Sequence, residues 1–209
     1  MTVTTRTRIM WAVVAGIGFA AGATVSSVAV NPVARLVSPL LGGLVSVALY
    51  GAVIGGIAGL VQLAVIPRDE VRWHAWLAAN IAGFAVGYVM ASVVGEALGN
   101  AIDPRANIVL AEAAIEISAG AALGLAVGLA QWRALHQVDA LPRLRWWLVA
   151  TAIGVGLGYG SAAGVLEELQ VAVLKANLIP SFAAIVGLGM GLAQAIALRT
   201  RSRPASHPR

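Results

Sequence analysis

Long apolar segments alternate with short charged segments along the whole chain. A helix needs about 20 apolar residues to cross a hydrocarbon layer of roughly 30 Å. The alternating apolar and polar positions of a membrane β-barrel strand are absent, and unpaired backbone groups are too costly in lipid for an open structure. We therefore expect an all-α integral membrane fold. The six predicted transmembrane helices cover about residues 9–30, 40–66, 73–98, 109–132, 145–166 and 180–198.

The composition agrees with this pattern. Only 11% of the 209 residues are charged and 59% are hydrophobic, whereas charged residues make up about 25% of a typical soluble domain. A water-soluble globule is excluded, so we expect residues 1–209 to form a single membrane domain whose main partner is the lipid bilayer. The chain has no cysteine and three scattered histidines, a pattern that predicts neither a disulfide nor a metal site.

Positive charges lie before the first apolar segment, after every second one and in the tail at 199–209. By the positive-inside rule this distribution predicts that both termini are cytoplasmic. The basic charge is then an insertion signal and an attraction to anionic lipid rather than a nucleic-acid site. The tail itself is predicted to be a disordered basic end. Outside the tail, the arginines that set this orientation are Arg6, Arg8, Arg68, Arg72, Arg133, Arg143 and Arg145.

An internal repeat relates the odd-numbered segments. In each of them a tryptophan is followed by glycine seven and eleven residues later. The three copies are Trp11 with Gly18 and Gly22, Trp76 with Gly83 and Gly87, and Trp147 with Gly154 and Gly158.

The even-numbered segments share a second template, a glycine followed four residues later by Gly-Leu-x-Gln. Its copies are Gly55 and Gly59 with Gln62, Gly124 and Gly128 with Gln131, and Gly187 and Gly191 with Gln194. The chain is thus predicted to be three tandem hairpins, at about 9–66, 73–132 and 145–198. Since every hairpin has two spans, all three share one orientation, and we expect a pseudo-threefold axis along the membrane normal.

The repeated glycines are predicted to be helix-packing positions. Residues four apart lie on one face of a helix, and two glycines there let a neighbouring backbone approach closely in lipid. The alternative is that glycine is simply common in membrane helices.

The repeated tryptophans and glutamines lie at matching depth near the cytoplasmic face. An indole N–H needs an acceptor when it is buried, and a carboxamide both accepts and donates, so Trp11, Trp76 and Trp147 are predicted to form an inner polar belt with the glutamines. Alternatively, the tryptophans are interfacial anchors and the glutamines point into headgroups.

Acidic residues concentrate toward the opposite ends of the segments. Glu96 and Glu167 each follow their tryptophan by twenty residues, and Glu112 shares a helix face with Glu116. Glu116 falls inside an apolar segment, where a carboxylate is expensive unless it is paired, hydrated or protonated. It is a candidate proton or cation site, with a structural hydrogen bond as the alternative. Lys175 is a possible salt partner on the same side.

The segment Gly128–Leu135 reads Gly-Leu-Ala-Gln-Trp-Arg-Ala-Leu and is followed by Trp146 and Trp147. It resembles repeated Gly-Leu-x-Gln-Trp-x-x-Leu-Arg segments in a group of bacterial multi-pass membrane proteins. The other two copies depart from this pattern, since Leu63 and Ala195 follow their glutamines. The resemblance implies an architecture and a bacterial cytoplasmic membrane, not an activity.

Motifs of known catalytic sites, such as Gly-x-Ser-x-Gly or His-Glu-x-x-His, are absent from the sequence, and we expect neither an enzyme nor a bound cofactor. The sequence favours a structural or accessory subunit that binds other membrane-protein subunits. The alternative is a small solute-binding or transport module with the glutamates lining an outward vestibule. Convergence of the carboxylates on a cavity would favour transport.

Overall fold

The computed structural model of the protein describes residues 5–34, 39–66, 72–102, 108–135, 144–168 and 178–197. For 31–34, 39–42, 108–109, 144–145, 163–168 and 178–179 it describes the backbone alone. These residues form six α-helices and no strand. The helices are α1 (Thr5–Ala34), α2 (Pro39–Gln62), α3 (Trp73–Ala101), α4 (Ile108–Leu135), α5 (Leu144–Glu168) and α6 (Leu178–Ala197).

Each helix overlaps one of the predicted apolar spans. In the described part of the chain, five helical segments are long and apolar enough to cross a membrane: Thr5–Val30, Gly43–Gln62, Trp73–Ala101, Leu110–Leu135 and Pro180–Ala197. The all-helical class is therefore confirmed for the described residues, and five of the helices have the length and composition of membrane spans.

The second helix ends earlier than the hydropathy pattern predicts. After Gln62 hydrogen bonds between residues three apart occur. The Ala64 N–H donates to the Val61 carbonyl at 3.1 Å, and the Val65 N–H donates to the Gln62 carbonyl at 3.0 Å. Bonds of this i to i+3 type close a turn and do not continue an α-helix. The residues from Leu63 to Ile66 therefore form a turn that follows α2, in which the Ile66 N–H also donates to the Gln62 carbonyl at 3.2 Å.

The helices close into a ring. Each helix packs on the helix before it and the helix after it in the chain, and α6 packs on α1. Every helix thus has two neighbours, and the inward faces of all six meet at one central axis.

The repeated glycines lie at the contacts between these neighbours. At all twelve positions a Cβ would come within 3.1 Å of an atom of the adjacent helix. At Gly22 it would lie 2.8 Å from the Ile54 Cα, and at Gly191 it would lie 2.6 Å from the Ala12 Cα. The glycines of α1, α3 and α5 face the following helix, those of α2 and α4 also face the next helix in the chain, and those of α6 face α1.

Side chains at every fourth position fill the centre of the ring. On α3 these are Trp76, Asn80 and Phe84, all fully buried, followed by the partly buried Tyr88. Side chains four residues apart differ by about 40° in direction around a helix with 3.6 residues per turn. The helices must therefore be tilted relative to one another for all of these side chains to point to the centre. Close crossings of this kind are typical of glycine-mediated packing in membranes.

Candidate functional site

The predicted Trp and Gln positions lie inside the ring. The arginines of the described residues mark one end of the bundle, the basic end. They are Arg6, Arg8, Arg72, Arg133 and Arg145, the last with its backbone alone described. Near that end, Gln62, Gln131 and Gln194 are each 0% exposed, and the three repeat tryptophans are at most 6% exposed. These six side chains, with Asn80 and Thr151, are called the polar core below.

Hydrogen bonds connect five helices through the polar core. The Trp11 Nε1–H donates to the Gln194 Oε1 at 3.0 Å. The Gln194 amide nitrogen donates to the Gln131 Oε1 at 2.8 Å and to the Thr151 hydroxyl at 3.2 Å. The Gln131 amide nitrogen donates to the Asn80 Oδ1 at 2.9 Å. Side chains of α1, α3, α4, α5 and α6 are thereby joined in one network.

Trp11 reaches the glutamine of the third hairpin rather than that of its own. This pairing follows from ring closure, because α6 is the neighbour of α1 on the side opposite α2. The Trp11 ring also contacts the Trp76 ring edge to face, with centroids 6.1 Å apart. A T-shaped pair at this distance is a favourable aromatic geometry.

Asn80 and Thr151 were missed by the sequence reasoning. Each follows its repeat tryptophan by four residues and bonds back to it, Asn80 to the Trp76 carbonyl at 2.9 Å and Thr151 to the Trp147 carbonyl at 2.8 Å. Each also accepts from the glutamine of its own hairpin. The signal was present in the sequence, since two of the three repeats carry a polar residue at this position.

Some core groups have no hydrogen-bond partner among the described residues. They are both amide atoms of Gln62 and the indole Nε1–H groups of Trp76 and Trp147. Gln62 and Trp76 are 0% exposed, so these are buried polar groups rather than groups in contact with solvent.

An apolar layer separates the polar core from the other end of the bundle. Phe19 and Phe84 pack edge to face with centroids 4.9 Å apart. Apolar side chains of the other helices surround them at the same level. The layer consists of Phe19, Ile54, Phe84, Leu123, Val155 and Val186, all at most 1% exposed.

Tyrosines lie beyond this layer, toward the glutamates. Tyr50 and Tyr88 pack edge to face at 5.5 Å, and Tyr159 packs in the same way on Phe182 at 5.1 Å. The Tyr88 and Tyr159 side chains share a hydrogen bond. At the level of these tyrosines α1 is joined to α2, because the Ser26 hydroxyl donates to the Tyr50 carbonyl at 3.1 Å.

The predicted acidic residues do not share one environment. Glu96 and Glu112 are exposed, whereas Glu116 is half-buried and interacts electrostatically with Tyr159 and with Glu112. Glu167 lies in the last turn of α5, where the backbone alone is described. Lys175 and the tail at 199–209 lie outside the described residues.

Comparison with other proteins gives no relative. No protein family, curated protein or solved structure matches the chain.

Proposed function

We propose that the protein is a non-enzymatic integral membrane protein that acts as a structural or accessory subunit of a larger membrane complex. The observation that supports this proposal is the apolar layer at the centre of the ring. Phe19 and Phe84, with the side chains around them, separate the polar core from the tyrosines and glutamates. Within the described residues, no polar side chain bridges this layer, so the arrangement does not favour passage of a polar solute.

The outward faces of the helices support the same proposal. Large apolar side chains alternate with small ones on every helix, and on α5 the exposed ones recur at spacings of three or four as Trp146, Val149, Ile153 and Leu157. Such a face is compatible with lipid and with a neighbouring helix, because small residues between the large ones allow close approach.

The proposed architecture comprises six spans arranged as three tandem hairpins around a pseudo-threefold axis along the membrane normal. The helix α5 has 25 residues, more than the 20 or so that a span needs. The glycine contacts recur in each hairpin and, through α6 and α1, across the closure of the ring. We place both termini in the cytoplasm on the basis of the arginine distribution. The resemblance of Gly128–Leu135 to segments of bacterial multi-pass proteins supports a bacterial cytoplasmic membrane.

Mild extraction followed by mass measurement of the intact assembly tests the subunit role. The assembly is expected to contain a second membrane protein in fixed stoichiometry. In two matched variants, Ile153 and Leu157 of α5 or Val13 and Ile17 of α1 are replaced by alanine. A specific partner is expected to dissociate in one of the two variants and to stay bound in the other. If the protein has the mass of the single chain in every variant, it contacts only lipid, and this result contradicts the proposal.

A small solute-binding or transport module is the second candidate. The observation that favours it is the position of Glu116, half-buried beside Tyr159 at the acidic end. Transport predicts that Glu116→Gln abolishes proton or cation flux in vesicles while Glu112→Gln, one turn away and exposed, retains it. Glu167→Gln provides a further test at the equivalent repeat position. The subunit role predicts that all three variants behave like the parent protein.

A further inference from the structure

The first hairpin lacks an internal partner for its buried amide. In the second hairpin Asn80 accepts from Gln131, and in the third Thr151 accepts from Gln194. The residue at this position of the first hairpin is Ala15, which is fully buried and has no polar side-chain atom. Gln62 therefore has no counterpart of these two bonds, which explains why its amide is unsatisfied among the described residues.

The unsatisfied groups are predominantly donors. Gln62 provides one carbonyl oxygen, whereas its amide nitrogen and the indole nitrogens of Trp76 and Trp147 all donate. If Trp76 bonded the Gln62 oxygen, as Trp11 bonds Gln194, two donor nitrogens would still remain. Buried donors are normally satisfied by protein, water or ligand. A group that satisfies these nitrogens accepts hydrogen bonds, as an anion or a water molecule does and a metal cation does not.

Gln62 lies beside the connected network. The Asn80 side chain lies against α2 one turn earlier, where a Cβ on Gly59 would come 3.0 Å from the Asn80 Cβ and 3.4 Å from its Nδ2. Trp76 and Trp147 pack in one cluster with Trp11. The unsatisfied donors thus belong to three helices, α2, α3 and α5, and all lie near the basic end of the ring.

The charge around this end favours an anion. Arg8 is half-buried and lies one turn from Trp11, and Arg6, Arg72 and Arg133 are exposed nearby. In the described residues the glutamates all lie toward the opposite ends of the helices. The loops between α2 and α3 and between α4 and α5 add Arg68 and Arg143 but also Asp69, Glu70 and Asp139, so this end keeps an excess of positive charge. Such an excess around a low-dielectric site raises the local concentration of the opposite ion.

We propose that the polar core binds a small inorganic anion of the halide class. Gln62 Nε2 and the indole N–H groups of Trp76 and Trp147 donate to the ion, and the positive end of the bundle attracts it. The site stands independently of the proposed subunit role, because it rests on the core donors and not on the outer faces of the helices.

Chloride titration of the full chain, monitored by the indole ¹H–¹⁵N resonances, tests this site. Chloride replaces gluconate at constant ionic strength, so that only the anion changes. The Trp76 and Trp147 signals are expected to shift and saturate together. Trp73 and Trp146 are 61% and 52% exposed, and they serve as internal controls whose signals follow no saturation curve.

Two variants assign the response to Gln62. In Ala15→Ser the new hydroxyl is expected to bond the Trp11 carbonyl and accept from Gln62, as Thr151 does for Gln194, and affinity is expected to fall by about tenfold, the effect of one lost hydrogen bond of ordinary strength. Gln62→Leu removes the amide and is expected to lose the saturable shift. Ala23→Ser, a buried position on the same helix beyond the apolar layer, is expected to bind like the parent protein.

Three kinds of response, and the absence of a saturable response, would each overturn the anion site. One is a linear shift of all four indole signals. Another is a saturable shift that follows sodium, when sodium replaces choline at constant chloride, instead of chloride. The last is a saturable chloride response that survives in both Ala15→Ser and Gln62→Leu. Absence of any saturable response means that water satisfies the donors, and it also rejects the proposal.

Discussion

The Gln131 side chain holds two hydrogen bonds that tie α4 to other helices. Its oxygen accepts from Gln194 and its nitrogen donates to Asn80. Gln62 occupies the same repeat position and holds neither kind of bond within the described residues. The two glutamines are a matched pair in which the repeat position is the same and the hydrogen bonding differs.

Replacing Gln131 by leucine is expected to lower the free energy of unfolding by about 1–2 kcal/mol. Side-chain hydrogen bonds between membrane helices contribute on average about 0.6 kcal/mol each and at most about 1.7 kcal/mol, and this change removes two. Titration with a denaturing detergent, followed by tryptophan fluorescence, measures the effect. The control Gln62→Leu, in chloride-free buffer, is expected to cost nothing. Equal losses in both variants would contradict the assigned network.

The sequence placed the repeat tryptophans and glutamines at one depth, and the structure brings them into one core. It did not predict their partners. Asn80 and Thr151 escaped notice because the polar residue recurs in only two of the three repeats, and Ala15 of the first hairpin breaks the pattern. Only the side-chain geometry shows that this one position decides which amides are satisfied.

Glycines that face a neighbouring backbone set the distance between helices. At Gly191 a Cβ would lie 2.6 Å from the Ala12 Cα, whereas at Gly99, near the end of α3, no atom lies within 4 Å. A backbone atom cannot rotate away as a flexible side chain can. The same substitution should therefore have opposite effects at these two sites.

Replacing Gly191 by alanine is expected to destabilise the protein by about 1–3 kcal/mol, the usual effect of overpacking a well-filled contact. Gly99→Ala is expected to be neutral or to stabilise α3 by up to about 1 kcal/mol, because alanine is the better helix former. Thermal unfolding in the same detergent compares the two variants. A Gly191→Ala protein as stable as its parent would show that α1 and α6 are not in close contact there.

Hydropathy alone predicted the positions of the helices, because a span must be apolar over its whole length. It overestimated the end of α2, where the apolar residues after Gln62 continue into a turn. The glycine pattern predicted packing faces without naming the neighbour. Gly51 and Gly120, which lie outside the pattern, pack as closely as the repeat glycines, against Phe84 and Tyr159 respectively.

The contact between α6 and α1 makes the bundle a closed ring instead of an open row of hairpins. Nothing in the sequence of a single repeat distinguishes these two arrangements, because both use the same helix faces. The distinction rests on contacts between residues far apart in the chain, such as Gly16 with Leu188.

A cysteine pair at Gly16 and Leu188 is expected to form a disulfide under mild oxidation. A Cβ on Gly16 would lie 2.9 Å from the Leu188 Cγ, so the two β-carbons are at most about 4.4 Å apart, within the usual disulfide range. The chain has no native cysteine, so a shift in gel mobility that is reversed by reductant reports this bond alone.

The control pair is Gly16→Cys with Val86→Cys on α3, a helix that does not adjoin α1 in the ring. It is expected to stay reduced under the same conditions. An open row of hairpins would leave both pairs reduced.

The bond from Trp11 to Gln194 spans 183 positions of the chain. At about 5–20 residues per second, a ribosome takes roughly 10–40 s to make that stretch. During this interval the first helix is already in place, but the Gln194 acceptor of the Trp11 indole has not been synthesised. Assembly can thus finish only after α6 has been synthesised, and a truncated product that stops before α6 lacks the Gln194 acceptor.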